Sequence, residues 1–209
     1  GMGFFQKFFL YMIVAAVGAW WFYFKLGWNS IHIPGAGDFI IGAWYIPLFI
    51  VMLVWTAFSA NETDGLDGLA GGIFAMCYGA YAVICLTQGK IELATFCATI
   101  MGGLLAFLWF NIPPARFFMG DTGAMSLGMT LGVIAFLTNT IVILPLISLV
   151  FTVEALSFVI QFLSKKLRNG KKVFLSSPIH HHFEAIGWPE YKITMRFWVI
   201  SAVSAVAGF

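Results

Sequence analysis

Charged side chains are scarce in this sequence: they make up 10% of its 209 residues, and only nine are acidic. A soluble globular domain carries about 25% charge. With 61% hydrophobic residues, the chain reads instead as a polytopic membrane protein. Cysteine is nearly absent too. Cys77, Cys85 and Cys97 all fall inside apolar runs, which suits buried, inert thiols and excludes a disulfide scaffold. Internal repeats, low-complexity tracts and a strongly basic domain are missing, so no nucleic-acid partner is expected.

What is abundant is long apolar sequence. A helix needs about 20 mostly apolar residues to cross a hydrocarbon core of about 30 Å. Runs at 4–24, 44–60, 70–88, 92–110, 122–138, 141–164 and 192–209 meet or approach that length. They predict an all-α bundle of about seven spans in a single membrane domain over 1–209. The first run is too long and too rich in Trp and Phe for a signal peptide. Both edges of the chain read as cut rather than finished.

Seven spans put the loops 61–69, 111–121 and 165–191 on one side, with 25–43, 88–91 and 138–140 on the other. The first side, with the N-terminus, holds Lys7, Arg116, Lys165, Lys166, Arg168, Lys171, Lys172, Lys192 and Arg196. The second holds only Lys25 and Lys90. Positive charge is retained on the cytoplasmic side, so the first side is expected to be cytoplasmic. The outer segment 25–43, with Gly27, Pro34, Gly35 and Gly37, reads as a loop or short hairpin.

Three polar strings fall on that cytoplasmic side. The first, Asn61-Glu62-Thr63-Asp64-Gly65-Leu66-Asp67-Gly68, puts three acids within six residues of a greasy chain. Carboxylates this close, loosened by glycine, suit a divalent cation and the phosphates it carries. If the string opens a helix, Asn61 caps it and Asp64 and Asp67 share a face. The plainer alternative is a polar turn whose acids cap the next helix. The second string runs from Asn111 through Pro113, Pro114, Arg116, Phe118 and Gly120 to Asp121 and Gly123. Its prolines end one span, and backbone amides at the start of the next can hold a metal-bound phosphate beside Asp121. Asp121 as a simple helix cap and Arg116 as an interface marker are the competing readings.

The third string, Ser177-Pro178-Ile179-His180-His181-His182-Phe183-Glu184, follows the basic stretch 165–172, which itself suits anionic lipid headgroups. Its position excludes an expression tag. Three adjacent imidazoles cannot all face one way, and their spacing is poor for zinc. Imidazoles beside a phosphate pocket fit better. Within the span before it, Glu154 and Gln161 lie seven apart, hence on one helix face. A glutamate inside a span must point into the bundle and needs a partner. Gln161 could donate to a ligand, and either residue could instead serve helix packing.

Together, in this order and on one membrane side, the three strings resemble the polyprenyl-phosphate N-acetylhexosamine-1-phosphate transferases. The histidine string, followed by Gly187-Trp188-x-Glu190, resembles the branch that transfers phospho-N-acetylmuramoyl-pentapeptide. The resemblance covers nearly the whole chain. It implies an enzyme of the bacterial cytoplasmic (inner) membrane that joins UDP-N-acetylmuramoyl-pentapeptide to undecaprenyl phosphate, giving lipid I and UMP with Mg2+ in peptidoglycan synthesis. Membrane lipids and a homodimer are the further partners it implies.

Carried over by position, Asp121 is the magnesium ligand, and Asp64 and Asp67 match acidic active-site positions. Asn111 matches a polar position lining the pocket, and Asn61 stands beside these as a candidate substrate-binding residue. Phe118 sits where the family stacks the uracil ring, and Gly65, Leu66 and Gln161 match its nucleoside pocket. His180, His181 and His182 match the histidine motif that faces substrate. Glu62 stands where a neutral aliphatic residue is usual, and Ala124 where serine is common. The family has ten spans and an adjacent Asp-Asp pair in its N-terminal portion; no Asp-Asp occurs here. The chain therefore resembles spans four through ten, and as a fragment it is expected to be inactive.

Two alternatives stay open at this level. A sibling transferring N-acetylglucosamine-1-phosphate would share the chemistry, although the histidine string argues against it. A transporter would gather ionisable groups near the bilayer midplane, where only Glu154 stands. The class acting on CDP-alcohols needs Asp-Gly-x-x-Ala-Arg, and Asp67-Gly68-Leu69-Ala70-Gly71-Gly72 does not supply it.

Overall fold

The computed structural model describes residues 4–209. Among them, apolar runs become helices α1 (Phe4–Trp20), α2 (Tyr45–Thr63), α3 (Leu69–Thr87), α4 (Ile91–Asn111) and α5 (Gly120–Leu137). A single turn, α6 (Leu144–Ile147), precedes α7 (Leu149–Leu167), a short α8 (Ile179–Ala185) and α9 (Glu190–Ala207). Among the described residues, five segments are long and apolar enough to cross a membrane: Gln6–Lys25, Gly42–Thr63, Leu69–Thr87, Ile91–Asn111 and Gly120–Leu137. The chain is a polytopic helical bundle. α7 and α9, of 19 and 18 residues, are less apolar: Glu154, Lys165 and Lys166 interrupt one, and Glu190, Lys192 and Arg196 the other.

Several boundaries differ from those read in the sequence. The 141–164 run is not one helix. Ser148, at φ −101° and ψ 38°, leaves helical geometry between α6 and α7. α2 runs on through Thr63, so Asn61 lies in its last turn rather than capping α3. The hydroxyl of Thr63 donates to Ser59 O at 2.7 Å, which satisfies a polar group at the helix end without stopping it earlier. Asp64 and Asp67 consequently sit in a turn, not on one face of a helix. The outer segment forms a hairpin of β1 (Ser30–Ile33) and β2 (Gly37–Ile40), antiparallel, with His32 opposite Asp38.

α3 is the central helix, 72% buried, packed against α4 on one side and α9 on another. α2 meets α1, α5 and α7. Where helices cross closely, glycine makes room. A Cβ at Gly128 would stand 2.5 Å from Thr56 O of α2, and one at Gly72 would stand 2.0 Å from the Trp198 indole nitrogen. Packing of this kind holds helices together in lipid, where burial from water does not drive association. Aromatic contacts complete the core, with Phe49 stacked on Phe136 at 4.4 Å and Phe74 against Phe151 at 4.6 Å.

The two ends of the bundle gather different loops. At one end, the Gln88 amide donates to Thr138 O at 2.9 Å and Lys90 Nζ to Leu137 O at 2.8 Å. There too the His32 N–H donates to Asn139 Oδ1 at 3.0 Å, tying down the hairpin. The other end collects the turn 64–68, the segment 112–119 and the chain around α8. Alanine at Gly128 should lower stability by about 1–3 kcal/mol, because an extra Cβ forces α2 and α5 apart; thermal unfolding in detergent measures this. A cytoplasmic polar end, as expected from the charge distribution, predicts that Lys172→Cys is labelled by an impermeant maleimide only from the cytoplasm and Ala36→Cys only from outside. Both positions are exposed, and the native cysteines are buried.

Candidate functional site

The acidic turn between α2 and α3 is held by side chains from elsewhere in the chain. The Asp67 N–H donates to Glu190 Oε1 at 2.7 Å, and the Gly68 N–H to Asn111 Oδ1 at 3.1 Å. The Thr194 hydroxyl donates to Asp67 O at 3.2 Å, and the Trp198 indole to Gly68 O at 3.1 Å. Gly68, at φ +72°, turns the chain into α3. The second string joins the same network. Asn111 ends α4 because the residue before a proline disfavours helix, and Ile112 is extended at ψ 149°. The Asn111 amide then donates to Phe117 O at 2.9 Å, so one side chain links both strings.

Between them lies a cavity of about 210 Å³ lined by Asn61, Asp64, Gly65, Leu66, Asp67, Asn111, Phe118, Gly120 and Asp121. Phe118 is 72% exposed, an aromatic ring standing free at the rim. Asp121 lies in the first turn of α5, where the helix dipole favours negative charge. It pairs with Lys7 Nζ at 2.7 Å. Burial raises the Asp64 carboxyl above its usual range, and the nearby Asp121 charge adds to that; a hydrogen bond from the Gly120 amide pulls the other way. Asp67 differs. Its Oδ2 accepts the Ala115 N–H at 2.8 Å, so this carboxylate braces the second string as well as lining the cavity.

The histidines separate, each with its own contact. His180 is fully buried, and its Nδ1 lies 2.9 Å from Glu154 Oε2. Its Nε2 presses on the acidic turn, where a Cβ at Gly65 would lie 2.5 Å away. His181 pairs with Glu184 on a partly exposed face, and His182 Nδ1 accepts the Leu175 N–H at 3.2 Å. Gln161 is not brought to the cavity lining. Its Oε1 accepts the Val173 and Phe174 N–H groups at 2.9 and 3.0 Å, and its Nε2 donates to Phe174 O at 2.8 Å. It fastens the irregular segment leading to α8.

Among the described residues, no group of three His, Cys, Asp or Glu side chains is placed to hold a metal alone. Magnesium does not require one, since it usually takes one or two carboxylates and completes its shell with water and phosphate oxygens. Asp64 and Asp121 both line the cavity, and their carboxylates would offer such oxygen donors. Lys7, Thr194 and Trp198 serve the site with no local pattern to mark them, because each acts through a contact with a distant segment. Glu190 belongs to the Gly187-Trp188-x-Glu190 string, but nothing in that string names the Asp67 amide as its partner.

A model of the family described as Glycosyl transferase family 4 matches residues 1–139, which include both acidic strings. The phospho-N-acetylmuramoyl-pentapeptide-transferase of Geobacillus sp. (strain WCH70) is 42% identical over 198 residues, 94% of this chain and 61% of that protein. The protein of the same name from Geobacillus thermodenitrificans is 42% identical over 205 residues, covering 97% of this chain and 63% of the relative. The one from Chloroflexus aggregans is 44% identical over 185 residues, 85% of this chain and 50% of the relative. The chain thus spans between 50% and 63% of the length of these curated relatives.

Asp67→Ala should lower stability by about 1–3 kcal/mol, because it leaves the Ala115 N–H unpaired. Asp67→Asn, which keeps an acceptor, should lose less than half as much. Equal losses in denaturation experiments would assign the effect to charge rather than to the hydrogen bond.

Proposed function

The chain belongs to glycosyl transferase family 4, and from that premise we propose that it forms part of a phospho-N-acetylmuramoyl-pentapeptide transferase. The reaction joins UDP-N-acetylmuramoyl-pentapeptide to undecaprenyl phosphate at the cytoplasmic face of the bacterial inner membrane. An oxygen of the lipid phosphate bonds to the sugar-proximal phosphorus of the diphosphate. The bond from that phosphorus to the bridging oxygen breaks, UMP leaves with the electron pair, and lipid I remains in the bilayer. The observation that carries this reading is the cavity between the two acidic strings, with Asp64 and Asp121 inside and a free phenyl ring at its rim.

Each residue has a task that its setting suits. Phe118 offers an unobstructed face for a uracil ring, a contact worth about 1–3 kcal/mol. The exposed backbone of Gly65 lets a nucleoside approach closely, beside the largely buried Leu66. The start of α5 favours an anion through its free amides and dipole. Asp64 and Asp121 would hold magnesium, which when bound would neutralise charge on the diphosphate. Lys7, paired with Asp121, limits the mutual repulsion of these acids before substrate arrives. The relatives share the name of this activity, which favours the muramoyl-pentapeptide substrate over N-acetylglucosamine.

The test uses the protein at the full length of its relatives, in detergent, with labelled UDP-N-acetylmuramoyl-pentapeptide, undecaprenyl phosphate and magnesium. Asp121→Ala should reduce lipid I formation by about 10²-fold or more without unfolding the protein. Phe118→Ala should raise KM about tenfold, the loss of one stacking contact. Turnover by Asp121→Ala at the unsubstituted rate contradicts the assignment. UDP-N-acetylglucosamine reacting in preference, assayed alongside, would assign the sibling activity.

A further inference from the structure

α7 carries one carboxylate in its interior. Glu154 is fully buried, as is its partner His180 on α8. Removing a carboxylate from water is costly unless it is paired and hydrogen-bonded, so an ionisable group here requires a function or a partner. Glu154 Oε2 lies 2.9 Å from His180 Nδ1 and 3.5 Å from the His180 backbone N–H. An oxygen that already faces a backbone donor acts as an acceptor toward the ring as well. As a carboxylate, Glu154 would therefore hold the proton of His180 on Nδ1.

That choice fixes the other nitrogen. His180 Nε2 is buried and has no hydrogen-bond partner within the protein. Buried polar atoms without partners are rare, and each calls for a ligand, a water or a chemical role. This one is aimed at the acidic turn, 2.5 Å from where a Cβ of Gly65 would stand. Gly65 lines the cavity and is exposed there, with no side chain between its backbone and the ring. His181 and His182 do not share this setting, since one turns to Glu184 and the other to Leu175.

We propose that Glu154 is a positioning residue for the transfer reaction, locking the His180 ring so that its Nε2 backs the Gly65 segment that lines the substrate cavity. The proposal rests on the function proposed above, because it takes its ligand from that reaction. Glu154 itself touches no substrate; it sets which nitrogen is free and in which direction it points. The same division of labour lets a buried carboxylate orient a working imidazole in hydrolases that are otherwise unrelated. A carboxylate serving only to pack helices would have no reason to fix the tautomer.

The test uses the full-length protein in nanodiscs, labelled with 15N-histidine, beside Glu154→Gln, His180→Asn and the double variant. Wild-type His180 should show a protonated Nδ1, and its Nε2 resonance should move on adding UDP with magnesium. Glu154→Gln should lower kcat by about 10²-fold, with KM for the UDP-sugar changed by less than about threefold and an unaltered melting temperature. The double variant should be no slower than His180→Asn alone. A ring protonated only at Nε2 in the wild type, or full kcat in Glu154→Gln, overturns the proposal. Should Glu154→Gln fail to fold, the wild-type ring state and its response to UDP decide the matter. Wild-type protein that turns over no UDP-sugar, yet keeps Nδ1 protonated and answers UDP at Nε2, would refute the proposed reaction and support the positioning of His180.

Discussion

A backbone polar group at the end of an apolar bundle must find a partner in the protein or in water. The turn between α2 and α3 meets this demand at Gly65 and Leu69 with its own backbone, and at Asp67 and Gly68 with borrowed side chains. Glu190, Thr194 and Trp198 reach it from α9, and Asn111 from the end of α4. Asp67 returns the favour by accepting from Ala115. The acids at the cavity are therefore held by the relative positions of α3, α4 and α9. Close packing in the hydrocarbon layer, as at Gly72 under Trp198, is what makes the polar end rigid.

The same constraint explains how negative charge can accumulate there. Asp64 and Asp121 line one small cavity, and Asp64 is partly withdrawn from water. Lys7 and the α5 N-terminus offset that repulsion in part. The remaining imbalance suits a cation and the phosphates it carries. The opposite end of the bundle shows no such concentration. There a lysine and a glutamine spend their donors on the carbonyls that end α5.

Much of the fold was legible because a hydrocarbon layer imposes a length. Apolar runs near 20 residues have few options other than a helix. The scarcity of charge also made the acids at 62–67 conspicuous. What stayed hidden depends on distant contacts. Asp64 and Asp67 look equivalent in the sequence, yet Asp64 meets the Gly120 amide at the cavity while Asp67 accepts from Ala115 and braces the second string. Gln161 read equally well as a ligand donor, and its full engagement with residues 173 and 174 comes from a loop folding back on α7. Ser148 breaks the 141–164 run without proline or glycine at the break itself. Glu154 needs a partner by its place inside a helix of the bundle, but nothing local to it names His180.

If the cavity bounded by the two acidic strings receives a uridine diphosphate-sugar, a structure of the full-length protein with UDP-N-acetylmuramoyl-pentapeptide and magnesium will show it. Uracil should lie against Phe118, with the diphosphate and its cation between Asp64 and Asp121. Nucleotide bound elsewhere, with those two carboxylates free of it, would rule that site out.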